Sequence, residues 1–376
     1  MSIGGYIIIP QILEENFIKL ILMKLGSAKY DFLYNKKKRL FRKEFKQVSD
    51  IEFFHSLPEG FRHRAEFSIN GSFGSKQYVM TIDGKRIKID SFPIASTKIQ
   101  ELMHQLLEQI NASKTLSEKL FQVEFQTSRN QDSMISLIYH RKLDESWENA
   151  ARSLNKKLRV TIIGRSRKQK ISYGNDYVIE TYKAFKSEYT LRLYEQCFSQ
   201  TNPEICEKML SWVERNLLFS DDDVVELHCG LGTFTMLLSK KFRKVLATEN
   251  SRPSFAGLKE NLRLNKSFNV VAARLSGHET LQAISNERSF NRLGGIDISE
   301  FKFNTIFLDP PREGLDENTL SYISRFDKVI YLSCGFESFK RDLQIMSKTH
   351  FVRKLAMFDQ FPYTEHIASG AILQKK

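Results

Sequence analysis

The sequence predicts an α/β protein in two parts. Residues 1–185 read as a mainly antiparallel β domain and residues 186–376 as a doubly wound α/β domain. Three observations carry this. A chain of 376 residues exceeds one ordinary domain. Apolar residues make up 41% of it, enough for real cores and too many for disorder. The hydrophobic pattern also changes near residue 186, from period-two runs between basic turns to apolar runs alternating with helical stretches.

A first segment, about 11–26, has the spacing of an amphipathic helix. Its apolar piece NFIKLILMKL carries Lys19 and Lys24 and is too short to span a bilayer. With no secretory pattern and no membrane segment, a cytoplasmic protein is expected. NKKKRLFRKEFK (35–46) then brings seven basic residues and one acidic one, interleaved with Leu40, Phe41 and Phe45. Charge runs are ordinarily solvated faces; this interleaving makes it a candidate grip for phosphates. FRHRAEF (61–67) alternates strictly, with Arg62, Arg64 and Glu66 on one face and Phe61, His63, Ala65 and Phe67 on the other. YVMTIDG, KRIKID, MISLIYH and KLRVTIIGRSRKQK continue the strands, and one helix, about Thr97–Asn111, interrupts them.

Beyond 186 the order is DVVELHCG, a helix from Thr233, KVLATE, a helix from Ser251, NVVAARL, FNTIFLDPP, a short helix near Leu315–Ile323, KVIYLSCG, a helix from Glu337, VRKLAMFDQF and IASGAILQK. FPYTEH, which links the last two strands, is too short for a crossover helix, so that pair is expected antiparallel.

Lysine and arginine total 57 against 44 acidic residues, a net charge of +13. With 29 phenylalanines, that balance points to a polyanionic partner, nucleic acid first. The four cysteines show no C-x-x-C spacing, which excludes the usual zinc and iron–sulfur frameworks; no metal is expected.

The chemistry gathers where strands end. VELHCGLGTFT closes one strand and opens a helix, and Gly230 and Gly232 let the backbone turn and approach a ligand. Glu249 ends the next strand, where an acid takes two ribose hydroxyls. A single G-x-G without the third glycine favours S-adenosylmethionine over a dinucleotide, since no pyrophosphate needs cradling. In FLDPPREGLD a strand ends at Asp309, two prolines hold the chain stiff, and Arg312 offers a charged donor fork; a substrate clamp outweighs a mere strand stop. Cys334 ends the following strand. A lone thiol is ordinarily a small core group. Here its strand opens on the same crevice, and Arg312 or helix dipoles are expected to give it thiolate character. A thiol beside a methyl donor suits uracil. Adding a thiolate to C6 makes C5 nucleophilic, and a base then removes the C5 proton. The target base must first be flipped out and held by stacking.

These residues resemble the tRNA (uracil-5-)-methyltransferase (TrmA) family. The resemblance runs in order through FRHRAEF, IDSFP, KLFQVEF, SLIYHRKLDESW, IIGR, FSQTN, ELHCGLGTF, LATEN, FNRLGGIDI, FLDPPREGLD, YLSCGFES and LAMFDQFPYT, nearly the whole chain after about residue 60. It implies a Rossmann-like S-adenosylmethionine-dependent methyltransferase domain behind an N-terminal RNA-binding domain. The implied reaction is methyl transfer to C5 of uridine, in T-loop uridine 54 of tRNA, through a covalent Cys334–C6 adduct. It implies that Gln200, His228, Gly230, Thr233, Glu249 and Asp309 hold or line the methyl donor and that Arg312 holds the uracil. Phe121 and His140 fall where the family packs aromatic groups around the flipped T-loop, with Arg62 and Arg64 as further RNA contacts. Partners would be the tRNA T-arm and tmRNA, with the protein a monomer and no membrane involved.

The chain departs from the family's pattern in three places. Tyrosine and asparagine are usual at His228 and Thr233. Cys-Asn-Pro is replaced by Cys334-Gly335-Phe336. Ala368 stands where a glutamate serves as general base, and Glu365, an odd number of residues away, points to the opposite face of an extended strand. Two other readings follow: a relative that binds and remodels tRNA without turnover, and an amino-group methyltransferase with a PP clamp, which would need no thiol.

Overall fold

The computed structural model describes residues 27–82 and 84–376, so the helix expected at 11–26 lies outside the described residues. The chain forms two compact units. One holds the described residues up to Asp31, Pro58–Thr127 and Ser133–Asn175; the other holds Phe32–Leu57, Ser128–Asp132 and Asp176–Lys376. The division is interleaved, unlike the single boundary at 185 that the sequence pattern suggests. Its cause is long-range pairing. Helix α1 (Ser27–Glu44) is followed by strand β1 (Ile51–Phe54), which runs parallel to a strand some 300 positions on, Ile51 opposite Leu355.

The first unit is a seven-stranded sheet. Strands β2 (Arg64–Asn70), β3 (Gln77–Ile82), β4 (Lys85–Lys88), β5 (Leu120–Thr127), β6 (Ser133–Tyr139), β7 (Thr161–Ser166) and β8 (Gln169–Tyr173) lie in the order β4-β3-β2-β5-β6-β7-β8. Every neighbouring pair is antiparallel except β6 with β7. Helix α2 (Thr97–Ala112) starts at Ser96, whose side chain accepts from the Ile99 N–H, and it buries Ile99, Leu102, Met103, Leu106 and Ile110. Helix α3 (Lys114–Ser117) is a single turn. The parallel β6–β7 step needs a crossover, which helix α4 (Glu145–Leu158) supplies. Strand-like neighbours mask α4 in the sequence, yet its signals are local. Asp144 accepts from the Trp147 N–H, and Trp147, Ala151, Leu154 and Leu158 are buried at helical spacing.

In the second unit a hairpin, β9 (Tyr177–Lys183) and β10 (Glu188–Tyr194), precedes helix α5 (Pro203–Arg215). The main sheet adds β11 (Ser220–Leu227), β12 (Phe242–Thr248), β13 (Val270–Ala273), β14 (Phe303–Leu308), β15 (Lys328–Ser333), β16 (His350–Phe358) and β17 (Ala368–Lys375) to β1, in the order β1-β16-β17-β15-β14-β11-β12-β13. All neighbours are parallel except β17, which runs antiparallel to both β15 and β16, as the short FPYTEH link requires. Helices α6 (Thr235–Ser239), α7 (Arg252–Leu264), α8 (Gly277–Ile284), α9 (Glu317–Tyr322) and α10 (Phe336–Met346) complete the alternation. α6 has only five residues and begins at Thr235; the glycine turn occupies the positions from Thr233 that the sequence pattern assigns to helix. Strand order reverses at β11, between β14 and β12, and this reversal opens the crevice at the strands' carboxyl ends.

Helix α1 belongs to this core. Phe41 and Phe45 are buried with Phe339, Leu343 and Met357. One turn earlier on the same face sits Lys37, only 5% exposed. The basic run is therefore not wholly solvated: Lys37 points inward, while Lys36, Arg39, Arg42, Lys43 and Lys46 are exposed.

Candidate active site

The turn after β11 is built from left-handed residues: His228 at φ +60°, Gly230 at +58° and Gly232 at +90°. A side chain at Gly232 would strike Leu258 and Met236, whereas the space beside Gly230 is open. The Gly230 N–H donates to Glu249 Oε2 (3.0 Å) and the Ser251 N–H to Oε1 (2.7 Å). The glycine turn and the acid at the tip of β12 are thus one assembly. Beneath them Glu226 is buried and accepts from the Thr235 hydroxyl at 2.6 Å. Burial pushes its carboxyl up to about 8, with Asp309 and Glu249 adding to the rise. Burial likewise raises Asp309, at the tip of β14, to about 7. His228 is exposed beside the first turn of α8, where its Nε2 lies 3.1 Å from the space a side chain at Gly277 would take. Thr233 is half-buried, and Gln200 accepts at Oε1 from the Gln360 amide (2.9 Å).

The Asp309–Arg312 turn is fastened to α10. The Ser338 hydroxyl donates to the Arg312 carbonyl at 2.8 Å, and the Arg341 guanidinium to the carbonyls of Glu313 and Leu315. Asp342, fully buried, accepts from the Leu315 N–H (3.0 Å) and the Tyr331 hydroxyl (2.6 Å). Gly335 completes the fit: a side chain there would lie 2.2 Å from the Arg312 carbonyl oxygen. The loop after Cys334 can therefore press against the proline turn only with glycine at that place. Phe336 packs on Phe41 and Phe45 of α1, ring centroids 5.8 and 6.2 Å apart.

Cys334 is partly buried at the end of β15. Its thiol is not the acidic group that the sequence suggests. Burial and Asp309 push it up to about 11, outweighing the opposing effect of Arg312. Arg312 Nη2 lies 2.6 Å from Nδ1 and 3.0 Å from Nε2 of His366, whose imidazole is held neutral, with a pKa near 4, by burial and by the charges of Arg312 and Lys37. The β15–β17 register, Ser333 opposite Ser369, sets Cys334 across from Ala368 when carried one residue further. Glu365 is exposed and paired with Lys36 at 2.6 Å. Asp359 is buried and paired with Lys37 at 2.7 Å.

Three sequence-derived groups thus meet in the second unit: the glycine turn with Glu249, the Asp309–Arg312 turn, and Cys334. In the first unit Phe121 and His140 form an exposed stacked pair, centroids 4.4 Å apart at 18°, which is not the packing of core aromatics. Arg62 donates to the Arg64 carbonyl at 2.8 Å, and Arg64 lies 3.7 Å from Glu124. Residues missed by sequence reasoning are Ser338, Asp342, Lys37 and His366. Lys37 could have been found from its four-residue spacing to Phe41 and Phe45; His366 from its even offset to Ala368. Ser338 and Asp342 give no local signal. Among the described residues no cluster of three or more His, Cys, Asp or Glu is placed for a metal, and no helix is long and apolar enough to cross a membrane.

The arrangement suits one cofactor. S-adenosylmethionine brings a ribose diol, a sulfonium and an ammonium, and the crevice offers an open glycine turn, an anchored carboxylate and two desolvated acids that a cation would relieve. A doubly wound sheet with this turn at its switch point is the methyltransferase fold that depends on that donor. The Pyrococcus abyssi tRNA (uracil-54, C5)-methyltransferase, solved with S-adenosyl-L-homocysteine, shares the fold with a TM-score of 0.70 at 18% identity, over 92% of this chain and 83% of that one. The family model for tRNA (uracil-5-)-methyltransferases matches residues 29–376. Relatives named tRNA/tmRNA (uracil-C(5))-methyltransferase are 42% identical in Cellvibrio japonicus, over 93% of this chain and 97% of the relative, and 42% identical in Teredinibacter turnerae, over 94% and 100%. The chain belongs to the tRNA (uracil-5-)-methyltransferase family.

Proposed function

We propose that this protein methylates C5 of a uridine in tRNA, uridine 54 of the T-loop, and the matching base of tmRNA, by way of a bond between Cys334 Sγ and uracil C6. One observation carries the reading: Cys334 stands at a strand tip beside the Asp309–Arg312 turn, with the glycine turn at the tip of the next strand and Glu249 at the tip of the one after that. Glu249 and Gln200 would hold the donor, with His228, Thr233 and Asp309 along its walls. Bound, S-adenosylmethionine supplies an electrophilic methyl group. Cys334 adds to C6 and drives electron density to C5, while Arg312 donates to the uracil oxygen on which charge develops. The first unit is the RNA grip: its exposed Phe121–His140 pair offers a stacking platform for an extruded base, with Arg64 at the start of the neighbouring strand and Arg62 just before it. The setting is the cytoplasm.

The test is transfer of labelled methyl to an unmodified T-arm stem-loop. Product with the parent protein and none with Cys334→Ala is expected; product with Cys334→Ala would sink the thiol mechanism. A second reading rests on Ala368, small and 2% exposed, which the extended β15–β17 register sets opposite the thiol. With no proton acceptor there, the protein would bind and reshape tRNA without turnover, and tight RNA binding with no methyl transfer would favour it.

A further inference from the structure

After methyl transfer, C5 of the target uracil carries both the methyl group and its original hydrogen. The adduct resolves only if a base takes that proton. The C5–H electron pair then forms the C5=C6 bond, and the C6–S bond breaks to return the thiolate to Cys334. The methyl arrives from the donor's side of the ring, so the proton leaves from the other side. In the sheet the donor crevice lies on the β14–β11 side of β15, and β17 lies on the opposite side. Asp309, Glu249 and Glu226 all belong to the donor side, and the last two are already engaged by N–H and O–H donors.

In the link from β16 to β17 four titratable side chains precede Ala368: Asp359, Tyr363, Glu365 and His366. Asp359 is buried against Lys37, Glu365 is turned out to Lys36, and Tyr363 is a buried phenol at a left-handed residue, an odd five positions before Ala368. His366 remains. It is two residues before Ala368, the first residue of β17, and carrying the strand's alternation back by that even offset keeps the same face. It touches Arg312. We propose that His366 is the acceptor of the C5 proton, released for that role when Arg312 turns from the imidazole to the uracil. The proposal rests on the C5-methylation reading above. Burial and the facing charges of Arg312 and Lys37 keep the imidazole uncharged at neutral pH against the opposing effect of Glu365, so a ring nitrogen is free to accept once Arg312 leaves. The imidazolium then returns its proton to water.

The experiment uses T-arm RNA carrying tritium at uracil C5 and S-adenosylmethionine labelled in the methyl group, under single-turnover conditions. Tritium release reads the proton step and methyl incorporation reads the preceding one. For His366→Gln the expected result is methyl incorporation close to the parent's, tritium release slowed by about 10²–10⁴-fold, and a protein–RNA band persisting on a denaturing gel. Adding Ala368→Glu to His366→Gln should restore release and dissolve the band. Tritium release within about threefold of the parent, or loss of methyl incorporation with no band, overturns the proposal, the latter marking His366 as a positioning residue for Arg312. A parent protein that transfers no methyl fails at the reading itself and takes the proposal with it; the two failures are read on different labels.

Discussion

Replacing Lys37 by methionine isolates one interaction that holds the site loop. The Lys37 Nζ donates to Asp359 Oδ1 at 2.7 Å and to the Phe361 carbonyl at 2.8 Å, and the two charged side chains are 6% and 1% exposed. Burial opposes the lysine's charge and Asp359 supports it. Methionine keeps the apolar stem packed and removes only the cation, so Asp359 is left as an unpaired buried charge. Breaking such a pair costs about 3–5 kcal/mol. For a unit of this size each kcal/mol lowers Tm by about 2–4 °C, so a fall of about 6–20 °C is expected. Urea melts at pH 7.5 measure the loss. The double variant Lys37→Met/Asp359→Leu should recover most of the loss. A single variant within about 1 kcal/mol of the parent, or a double variant no more stable than the single one, would refute the argument.

Alkylation of Cys334 in the donor-free protein should rise with pH toward about 11, since burial and Asp309 hold the thiol up. S-adenosylmethionine, a cation, should lower that midpoint by at least about one pH unit, and neutral-sulfur S-adenosylhomocysteine should lower it less; a midpoint at the free-thiol value of about 8.5 without donor would contradict the geometry. The other cysteines, Cys197, Cys206 and Cys229, are buried, so the label reads one site. On the proposed reading, Glu249→Ala removes a charged acceptor for two ribose hydroxyls, each bond being worth about 1.5–3 kcal/mol. Donor affinity by calorimetry should fall at least about tenfold; unchanged affinity would move the donor site elsewhere. RNA binding should weaken steeply with salt: with about six phosphate contacts from the 35–46 and 165–170 runs, the logarithmic slope is about −4 to −5.5, and flat affinity would remove the basic surface from the interface.

The site was legible where it is local. Gly230, Glu249, Asp309, Arg312 and Cys334 each sit at a strand end that hydrophobic periodicity locates, and one crevice collects all of them. What the sequence hid depends on partners far along the chain. Lys37 meets Asp359 322 positions away, and β1 pairs with β16 across a similar distance, so neither the interleaved units nor the inward lysine follows from a window of neighbours. The thiol's weak acidity is hidden for a related reason. It is set by how deeply folding buries Cys334 and by its nearness to Asp309, and the positive residue visible in the motif is outweighed.

The antiparallel insertion of β17 has a consequence for how the protein comes to be made. Residues 368–375 do not extend the sheet at a rim; they occupy its interior, between β15 and β16. A ribosome that has read as far as residue 366 has supplied every glycine turn, acid and thiol of the crevice, yet it has left β15 with an open flank and β1 with β16 stranded as a separate ribbon. Chains stopped early therefore present sticky edges to chaperones and proteases, and cannot be partly working copies. Only a chain read through to β17 can seal the sheet and set a residue opposite Cys334.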